Sequence, residues 1–366
     1  MLIAAVSLRD FRSHSRTELE IGSGVTVLAG PNGSGKTNIL ESIHFGLTGR
    51  SCRTSSDRQV IAHGKDTARV EVKIQDETST MRSVSVALDR SGNKQIQVDG
   101  TPADRTDSGF RRPLVNVFLP DRLSLITGAP GARRAHLDGF AAVLKPSVSG
   151  VRAEYNRVLL QRNSLIAAAR ASGTVSGSIS AWNSRLAKAG AELVASRKEA
   201  LETVIPHAAG IADELGLRGT LEISLRPAGS SSAEEFEAKL VEQLDADIDR
   251  GYTHYGPHRG DLLIRRDGRD VKDHASQGEK RLALLSLLLA EREAISEVRE
   301  AVQLLLLDDV MSELDSTRRE LLVRRVASGG QCLITATEFA HVPEIAGVEM
   351  VRVSLGDSDD RKLRVA

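Results

Sequence analysis

Cysteine and aromatic residues are scarce in this sequence. Its 366 residues include two cysteines, and aromatic residues make up 3%. Cys52 and Cys332 stand far apart and in no metal-ligand spacing, which excludes a disulfide framework or a zinc-ribbon fold and predicts two reduced thiols. The low aromatic content also argues against a nucleic-acid surface built from stacked aromatic side chains.

Net charge and long apolar runs are missing as well. The 49 Lys and Arg balance 49 Asp and Glu, which argues against a protein coated in basic residues but permits a local basic face. Residues 1–150 are the better candidate for that face, since they hold 20 basic and 15 acidic residues. No run approaches the ~20 apolar residues of a membrane span, and the N-terminal MLIAAVSLRDFRSH lacks a signal-peptide pattern. We therefore expect a cytoplasmic protein with no membrane partner.

Hydrophobic residues make up 40% of the chain, and their periodicity predicts an α/β fold. Apolar runs at 25–30, 113–120, 302–310 and 331–337 are typical of strands buried on both faces of a parallel sheet. Three shorter runs, RVEVKIQ, SVSVALD and KQIQVDG, predict an antiparallel meander beside that sheet. Within residues 140–250, two helical patterns flank a Gly/Ser-rich loop, which predicts a helical hairpin with arms of about 30–40 Å.

A glycine-rich stretch follows the first apolar strand and fits the pattern G-x-x-x-x-G-K-[ST] in every fixed position. It consists of Gly30, Pro31, Asn32, Gly33, Ser34, Gly35, Lys36 and Thr37. Glycines let a backbone wrap a phosphate chain with several N–H groups pointing inward. We expect Lys36 to reach the β- and γ-phosphates and the Thr37 hydroxyl to bind Mg²⁺. The pattern thus predicts ATP and Mg²⁺, and a plain turn between strand and helix is the simpler alternative.

Two acids close the apolar run LLLLDD. Asp308 stands where a P-loop protein carries its second metal-binding acid, and we expect it to hold Mg²⁺ through water. Asp309, one residue later, is expected to polarise the attacking water. For both residues the alternative is an acidic turn that merely follows a strand.

The stretch SQGEKR opens a strongly apolar helix and fits two interpretations. Ser276 stands at the N-cap with Glu279 three residues later, which is the spacing of a capping box. Alternatively, the helix start formed by Ser276, Gln277 and Gly278 binds an anion through its free N–H groups and the helix dipole. The two roles are compatible.

The order of these motifs, followed by SELD at 312–315, resembles that of ABC-type ATPases. In that family the signature, whose place SQGEKR takes, closes over ATP held by the P-loop of a second subunit. More narrowly, LRDFRSH, GPNGSGKTNILESI, LTGRSCRTSSDRQVI, FLPDRLSLITGAPGARRAHLD, YGPHRGDL, ASQGEKR and LLLLDDVMSELD together resemble the RecF family of bacterial recombinational repair, and FRSH also resembles SMC heads. Four positions depart from the family pattern: Arg122, His136, Gly260 and Lys280.

The resemblance implies an α/β fold, namely an ABC-type P-loop ATPase head with a helical second lobe that carries a short helical hairpin. Residues 1–112 would form ATPase lobe I, residues 113–300 lobe II with the hairpin and signature, and residues 301–366 would complete lobe I. The implied function is a weak DNA-dependent ATPase that dimerises on ATP at single-strand gaps or ss/ds junctions. It would help load RecA together with RecO and RecR.

The same resemblance suggests roles for five arginines. Arg12 lies where SMC-like heads place a basic residue near the phosphates. Arg50 and Arg53 match an arginine loop that faces DNA or the active site. Arg133 and Arg134 are candidates for DNA phosphate contacts, or each pairs only with an acidic neighbour.

Two other classes of function fit parts of the pattern. The nucleotide-binding subunit of a transporter would carry histidine where Thr337 stands, and it would lack the hairpin between P-loop and signature. A structural SMC head would need coiled-coil arms of hundreds of residues, whereas each arm here has only about 20–25. The hairpin length therefore favours the RecF-like interpretation.

Overall fold

The computed structural model describes residues 1–54, 56–76, 78–103, 113–299, 303–312, 314–355 and 360–363, with side chains for all of these except Asp121 and residues 360–363. The chain forms two compact units. The first comprises Met1–Arg122, Glu214–Gly216 and Glu300–Ala366, and the second comprises Leu123–Asp213 and Leu217–Arg299. Residues 104–112 of the predicted first segment and Glu313 of the SELD stretch lie outside the described residues.

Strands and helices are numbered separately in chain order. The described strands β1 to β15 are Leu2–Phe11, His14–Glu20, Val25–Ala29, Thr67–Gln75, Met81–Asp89, Lys94–Val98, Thr101–Pro102, Leu114–Phe118, Leu221–Arg226, Asp261–Arg266, Arg269–Asp270, Gln303–Leu307, Cys332–Ala336, Met350–Ser354 and Asp360–Leu363. The described α-helices α1 to α10 are Lys36–Thr48, Ser124–Thr127, Pro130–Leu144, Val151–Ser172, Ile179–Glu214, Ala233–Glu242, Leu244–Arg250, Val271–His274, Gln277–Arg299 and Ser316–Ser328.

The first unit contains a parallel sheet of five strands in the order β14-β3-β13-β12-β8. Every residue of β3, β12 and β13 is buried, as expected for parallel strands covered on both faces. Strand β8 pairs in parallel with β12, so it belongs to the first unit. Our segment boundary at residue 113 is therefore too early, because an isolated apolar run does not reveal its pairing partner.

A second sheet in the same unit has seven strands in the order β15-β2-β1-β4-β5-β6-β7. Strands β4, β5 and β6 pair antiparallel, which confirms the predicted meander. Strands β1 and β2 form a hairpin in which Phe11 faces His14, and this hairpin was not predicted. Helix α1 packs against strands of both sheets and shares one hydrophobic core with them.

The second unit is mainly helical, with a three-stranded sheet in the order β11-β10-β9. Helices α4 and α5 form the predicted hairpin, and its base packs around Tyr155, Leu193 and Phe236. Helix α5 continues through Pro206. Proline costs a backbone hydrogen bond in a helix, but the buried Ala208 and Ile211 beyond it keep the last turns packed. No helix in the described part of the chain is long and apolar enough to cross a membrane.

Candidate functional site

The glycine-rich loop lies between β3 and α1, as the motif requires. Gly33 and Gly35 have φ of 85° and 92°, a region that favours glycine. A Cβ atom on Gly35 would also lie 2.5 Å from His14 Nε2, and one on Gly30 would lie 2.7 Å from the Leu355 carbonyl oxygen. Gly35 is the N-cap of α1 and offers no side chain to the first-turn N–H groups, so these groups face the loop interior as an anion site.

Lys36 is 7% exposed and lies within this loop. Its Nζ donates to the carbonyl oxygens of Gly30 at 2.6 Å and Pro31 at 2.9 Å. Burial lowers the pKa of Lys36, while Asp309 and Asp308 act in the opposite direction. The ammonium group is therefore already positioned along the loop that would cradle the phosphates.

Asp308 follows β12 and is joined to two hydroxyl groups. Thr37 Oγ1 donates to its carboxylate at 2.8 Å and 3.0 Å, and Thr335 Oγ1 donates to Oδ1 at 2.8 Å. Burial raises the pKa of Asp308, and the bonds from Thr335 and Thr37 oppose that shift. The predicted metal pair, Thr37 and Asp308, is thus in direct contact although 271 residues separate the two.

Asp309 adopts a left-handed backbone conformation with φ of 47°. Its N–H donates to Thr335 Oγ1 at 2.9 Å, and its carbonyl accepts a bond from the Ser312 hydroxyl at 3.0 Å. Such a conformation is uncommon for a non-glycine residue, although Asp adopts it more readily than most. The role of Asp309 in polarising water stays a prediction.

Strand β13 connects the acids and the loop. Thr335 links Asp308 and Asp309, and the Ala336 carbonyl accepts the Gly30 N–H at 3.3 Å. Just after the strand, the Thr337 hydroxyl lies 3.0 Å from His341 Nδ1. Sequence reasoning missed Thr335. Its only signal was a hydroxyl residue inside the otherwise apolar strand CLITA.

Arg12 and Arg53 converge on a buried carboxylate of α1. Arg12 pairs with both oxygens of Glu41 at 2.7 Å and 2.9 Å. Arg53 reaches Glu41 at 3.3 Å and the Asn38 amide oxygen at 3.0 Å. Burial opposes ionisation of Glu41, but bonds from Arg12 and Ser51 leave its pKa below the usual value. Both arginines are thus attached to the P-loop helix through Glu41, a residue that the sequence analysis missed.

The FRSH stretch is attached to the P-loop at two further points. The Asn38 amide donates to Ser13 Oγ at 2.9 Å, and His14 Nε2 lies 3.1 Å from the Gly35 carbonyl oxygen. His14 Nδ1 lies 2.9 Å from Thr17 Oγ1, so a Nε2–H tautomer satisfies both contacts. In contrast, Arg50 is exposed, and its carbonyl oxygen accepts from His44 or Thr48.

Ser276 caps helix α9 in the second unit. Its N–H and its hydroxyl both donate to Glu279 Oε2, at 2.8 Å and 2.9 Å, and the Glu279 N–H returns a bond of 3.4 Å to Ser276 Oγ. Arg266 of β10 forms an ion pair with the same carboxylate. The bond from the Ser276 N–H and then the one from Arg266 lower the pKa of Glu279 to about 2. This confirms the capping interpretation, while anion binding by Ser276, Gln277 and Gly278 stays a prediction.

The two arginines of α3 differ from each other. Arg133 is 7% exposed and pairs with both oxygens of Asp261 at 2.8 Å. Arg133 thus has the acidic neighbour that was its alternative interpretation, and its DNA contact stays a prediction. Arg134 is half-buried and donates to the Gly260 carbonyl at 2.9 Å, so its DNA contact stays a prediction.

Three of the four unusual positions have structural partners within the second unit. His136 Nε2 lies 2.7 Å from Glu291 Oε1, and Gly260 accepts the Arg134 bond. The Lys280 N–H donates to the Ser276 carbonyl at 2.9 Å in the first turn of α9. None of these three contacts involves a residue of the loop 30–37.

The residues at the loop fit ATP and Mg²⁺. The left-handed glycines shape a loop of inward N–H groups, and Lys36 supplies a cation beside them. The Thr37 hydroxyl and the Asp308 carboxylate are hard oxygen donors, which Mg²⁺ prefers while keeping several waters and phosphate oxygens as its other ligands.

Comparison with known proteins gives the same family at the levels of sequence and structure. The sequence model of the RecF/RecN/SMC N terminal domain matches residues 2–358. A DNA replication and repair protein RecF from Streptomyces avermitilis is 35% identical over 97% of this chain and 99% of its own length. Its counterpart from Clavibacter sepedonicus is 32% identical over 97% of this chain and 94% of its own length.

Solved structures agree in fold. An ATP-bound RecF, described as the recombination mediator protein of the RecFOR pathway, matches with a TM-score of 0.83 and 28% identity, covering 100% of this chain and 97% of that one. An Smc head bound to the winged-helix domain of ScpA matches with a TM-score of 0.60 at 18% identity, covering 100% and 98%, which concerns the fold alone. The predicted ABC-type ATPase fold is thereby confirmed. The chain belongs to the RecF family of DNA replication and repair proteins, within the wider RecF/RecN/SMC group.

Proposed function

We propose that this protein is an ATP-dependent DNA-binding protein of recombinational repair, with a weak DNA-dependent ATPase activity that times its release from DNA. The observation that carries the proposal is the direct contact between Thr37 and Asp308 beside the P-loop Lys36. The ATP-bound RecF of similar fold supports ATP as the nucleotide. The partner class, DNA, follows from the RecF relatives, which are DNA replication and repair proteins.

The chain's own residues divide the work at the nucleotide. The N–H groups of residues 30–37 bind the phosphate chain, and Lys36 exchanges its two carbonyl acceptors for β- and γ-phosphate oxygens. Thr37 and Asp308 would hold Mg²⁺, which when bound neutralises charge on the phosphate oxygens. Asp309 accepts a hydrogen bond from the attacking water and orients it. Thr335 holds the two acids in register through its single hydroxyl.

The second half of the composite site comes from another copy of the chain. Ser276, Gln277 and Gly278 of one subunit would close over the γ-phosphate bound by its partner, using the positive end of the α9 dipole. Two subunits then enclose two nucleotides, and the ATP-bound homodimer grips DNA. Hydrolysis removes the shared anion and lets the subunits separate.

The place of action proposed for this dimer is a single-strand gap or ss/ds junction. There it would act with RecR and RecO to help load RecA. The support for this assignment is family membership and the resemblance of a RecF described as part of the RecFOR pathway.

One experiment tests the proposal as a whole. The mass of the full-length protein is measured by light scattering with ATP, with ADP and without nucleotide, each in the presence and absence of gapped duplex DNA. We expect a dimer with ATP, monomers in the other two states, and a DNA complex that dissociates as ATP is consumed. The proposal would be overturned if the measured mass were the same in all three nucleotide states and DNA binding were also independent of the nucleotide.

A further inference from the structure

Three arginines stand side by side on one face of the seven-stranded sheet. Strand β1 places Arg9 opposite Arg16 of β2 on one side and opposite Arg69 of β4 on the other. The strand neighbours Leu8 and Val70 are buried against the core, so the arginines project from the opposite face. The side chains of Arg9 and Arg16 are 81% and 65% exposed, and Arg69 is exposed as well.

Taken by itself, this row is unfavourable for folding, although Glu18 and Glu71 stand two residues along the same face, opposite Ser7. Residues directly opposite in an antiparallel pair have Cβ atoms about 4.5–5.5 Å apart, and like charges there are destabilising. A sequence selected only for sheet stability would alternate the signs of charge along such a row. The cross-strand row Arg16–Arg9–Arg69 instead puts three cations within two strand spacings, about 10 Å.

The nearby carboxylates form only weak, solvent-exposed ion pairs with these arginines. Arg16 pairs with Glu18 at 3.1 Å, and Arg9 reaches Asp10 at 4.0 Å. Exposed pairs of this kind contribute little free energy and are easily exchanged for another anion. Among the described residues, Arg69 forms no ion pair, although Glu71 lies two residues along the same strand.

The row borders a recess of about 740 Å³ in the sheet face. Besides the three arginines, the recess is lined by Lys65, by the hydroxyl residues Ser7 and Ser15, and by three acids of which Asp10 also pairs with Lys65 at 3.4 Å. The lining thus combines four cations and two hydroxyl residues with three acids, which leaves a small excess of positive charge. Among the described residues that line it, none is an aromatic side chain on which a base could stack.

We propose that the arginine row binds the sugar–phosphate backbone of duplex DNA. This inference rests on the proposed DNA-binding function and identifies the surface of the protein that would contact DNA. A nucleic-acid strand carries one charge per 3.4 Å of helix axis, and the cations of the row stand about 4.8 Å apart, so the strand presents enough anions for every cation of the row. Each guanidinium can hold a phosphate with two parallel bonds. Because the row offers cations for phosphates and no aromatic platform for bases, the binding is independent of DNA sequence.

The test removes the charges of the row and keeps side chains of intermediate length. The triple variant Arg9→Gln, Arg16→Gln, Arg69→Gln is compared with wild type by fluorescence anisotropy of a labelled duplex, with ATP, over a series of salt concentrations. We expect weaker binding, and a plot of log K against log[salt] that is shallower by about 0.9 for each phosphate that the variant no longer neutralises. ATP turnover without DNA should not change, because the three side chains project from the sheet face opposite the core that holds α1.

A matched control removes the same number of charges from the helical hairpin, using Arg157→Gln, Arg185→Gln and Lys188→Gln. The melting temperature of the row variant should equal or exceed that of wild type, because three opposed charges are gone. Equal losses of DNA binding in both triple variants, or an unchanged salt slope in the row variant, would overturn the inference. Wild type that fails to bind duplex at all would instead contradict the proposed function.

A second titration separates DNA from an acidic protein partner. Binding of poly-L-glutamate is measured with the same variants under the same conditions. Loss of polyglutamate binding in the row variant with duplex binding intact would assign the face to an acidic polypeptide and overturn the DNA assignment.

Discussion

Asp308 and Lys36 illustrate how single residues are prepared for phosphate chemistry. The carboxylate accepts bonds from Thr37 and Thr335, so its orientation is fixed by groups from two different elements. Lys36 is fixed by the carbonyls of its own loop. Groups held in this way need little reorganisation when charge arrives, which is the main source of electrostatic catalysis.

The first prediction concerns Lys36→Arg. The broader guanidinium cannot sit as a point charge between the β- and γ-phosphates, so we expect the fold to persist and hydrolysis to be lost. Circular dichroism and a phosphate-release assay on the purified variant measure the two outcomes. Unchanged turnover would mean that Lys36 does not act on the phosphates.

The second prediction distinguishes the roles of Asp308 and Asp309 by replacing each with Asn. Asp309→Asn removes the charge that polarises water, so ATP should still bind while hydrolysis slows, and the ATP-bound dimer should stay on DNA longer. Asp308→Asn, the matched control, should weaken Mg²⁺-dependent ATP binding itself. Nucleotide titrations with and without Mg²⁺ distinguish the two variants. Loss of ATP binding in Asp309→Asn would make Asp309 a metal or structural residue.

At the scale of elements, the hairpin base contains a histidine that cannot readily take a proton. His258 Nδ1 lies 2.6 Å from the Tyr155 hydroxyl, and Nε2 lies 3.1 Å from the Thr253 carbonyl oxygen. Burial lowers the pKa of His258 to about 4. The ring is therefore neutral in the folded protein at neutral pH, with Nε2 as donor and Nδ1 as acceptor.

The third prediction follows from this pKa. Below the ordinary histidine pKa of about 6.5, His258 is protonated in the unfolded chain but stays neutral in the folded chain. The free energy of unfolding should therefore fall as pH drops from about 6.5 towards 4. Above that window the titration of His258 should have no effect on stability. Chemical denaturation of wild type and His258→Gln across this range measures the difference. Parallel pH profiles for the two proteins would contradict the assignment.

The loop after α1 carries the fourth prediction. Arg53 contacts Glu41 and Asn38 beside the P-loop, whereas Arg50 is exposed. Arg53→Gln should therefore lower ATP affinity, and Arg50→Gln should leave ATP affinity unchanged and make the salt dependence of DNA binding shallower by about 0.9. Nucleotide and duplex titrations of both variants test this. Parallel losses of ATP affinity would put Arg50 in the active site as well.

Which elements could be predicted depended on how local their signals are. The strand VTVLAG, the loop of residues 30–37 and the cap at Ser276 are written in consecutive residues, and the structure confirms them. The β1–β2 hairpin could not be predicted because its turn contains no glycine. Arg12 takes the positive φ, 53°, that a glycine would usually supply in such a turn. The contacts of Thr335 and Glu41 join residues distant in sequence, so only the assembled sheets reveal them.

At the scale of the whole molecule, the proposed function makes the nucleotide site within one chain incomplete. Residues of the first unit supply the loop, the proposed metal pair and the acid proposed to orient water. The signature caps a helix of the second unit, and the resemblance to ABC-type ATPases assigns its ligand to a partner subunit. A substitution that prevents ATP-dependent dimerisation should then also reduce ATP hydrolysis and DNA binding.

The last prediction tests that coupling through Ser276→Arg. Loss of the cap alone should cost only about 1 kcal/mol, so the monomer and its own ATP affinity should be nearly intact. The bulky side chain should block closure over the partner's nucleotide by its size. We expect ATP-dependent dimerisation to disappear, and hydrolysis and ATP-stimulated DNA binding with it.

Mixing two inactive subunits makes the test sharper. A Ser276→Arg subunit paired with a Lys36→Arg subunit forms one composite site from the intact P-loop of the first and the intact signature of the second. Hydrolysis should therefore return in the mixture although neither variant hydrolyses ATP alone. If Ser276 only caps α9, the variant would melt earlier but still dimerise with ATP, and mixing would add nothing. That outcome would return SQGEKR to the role of an ordinary helix start.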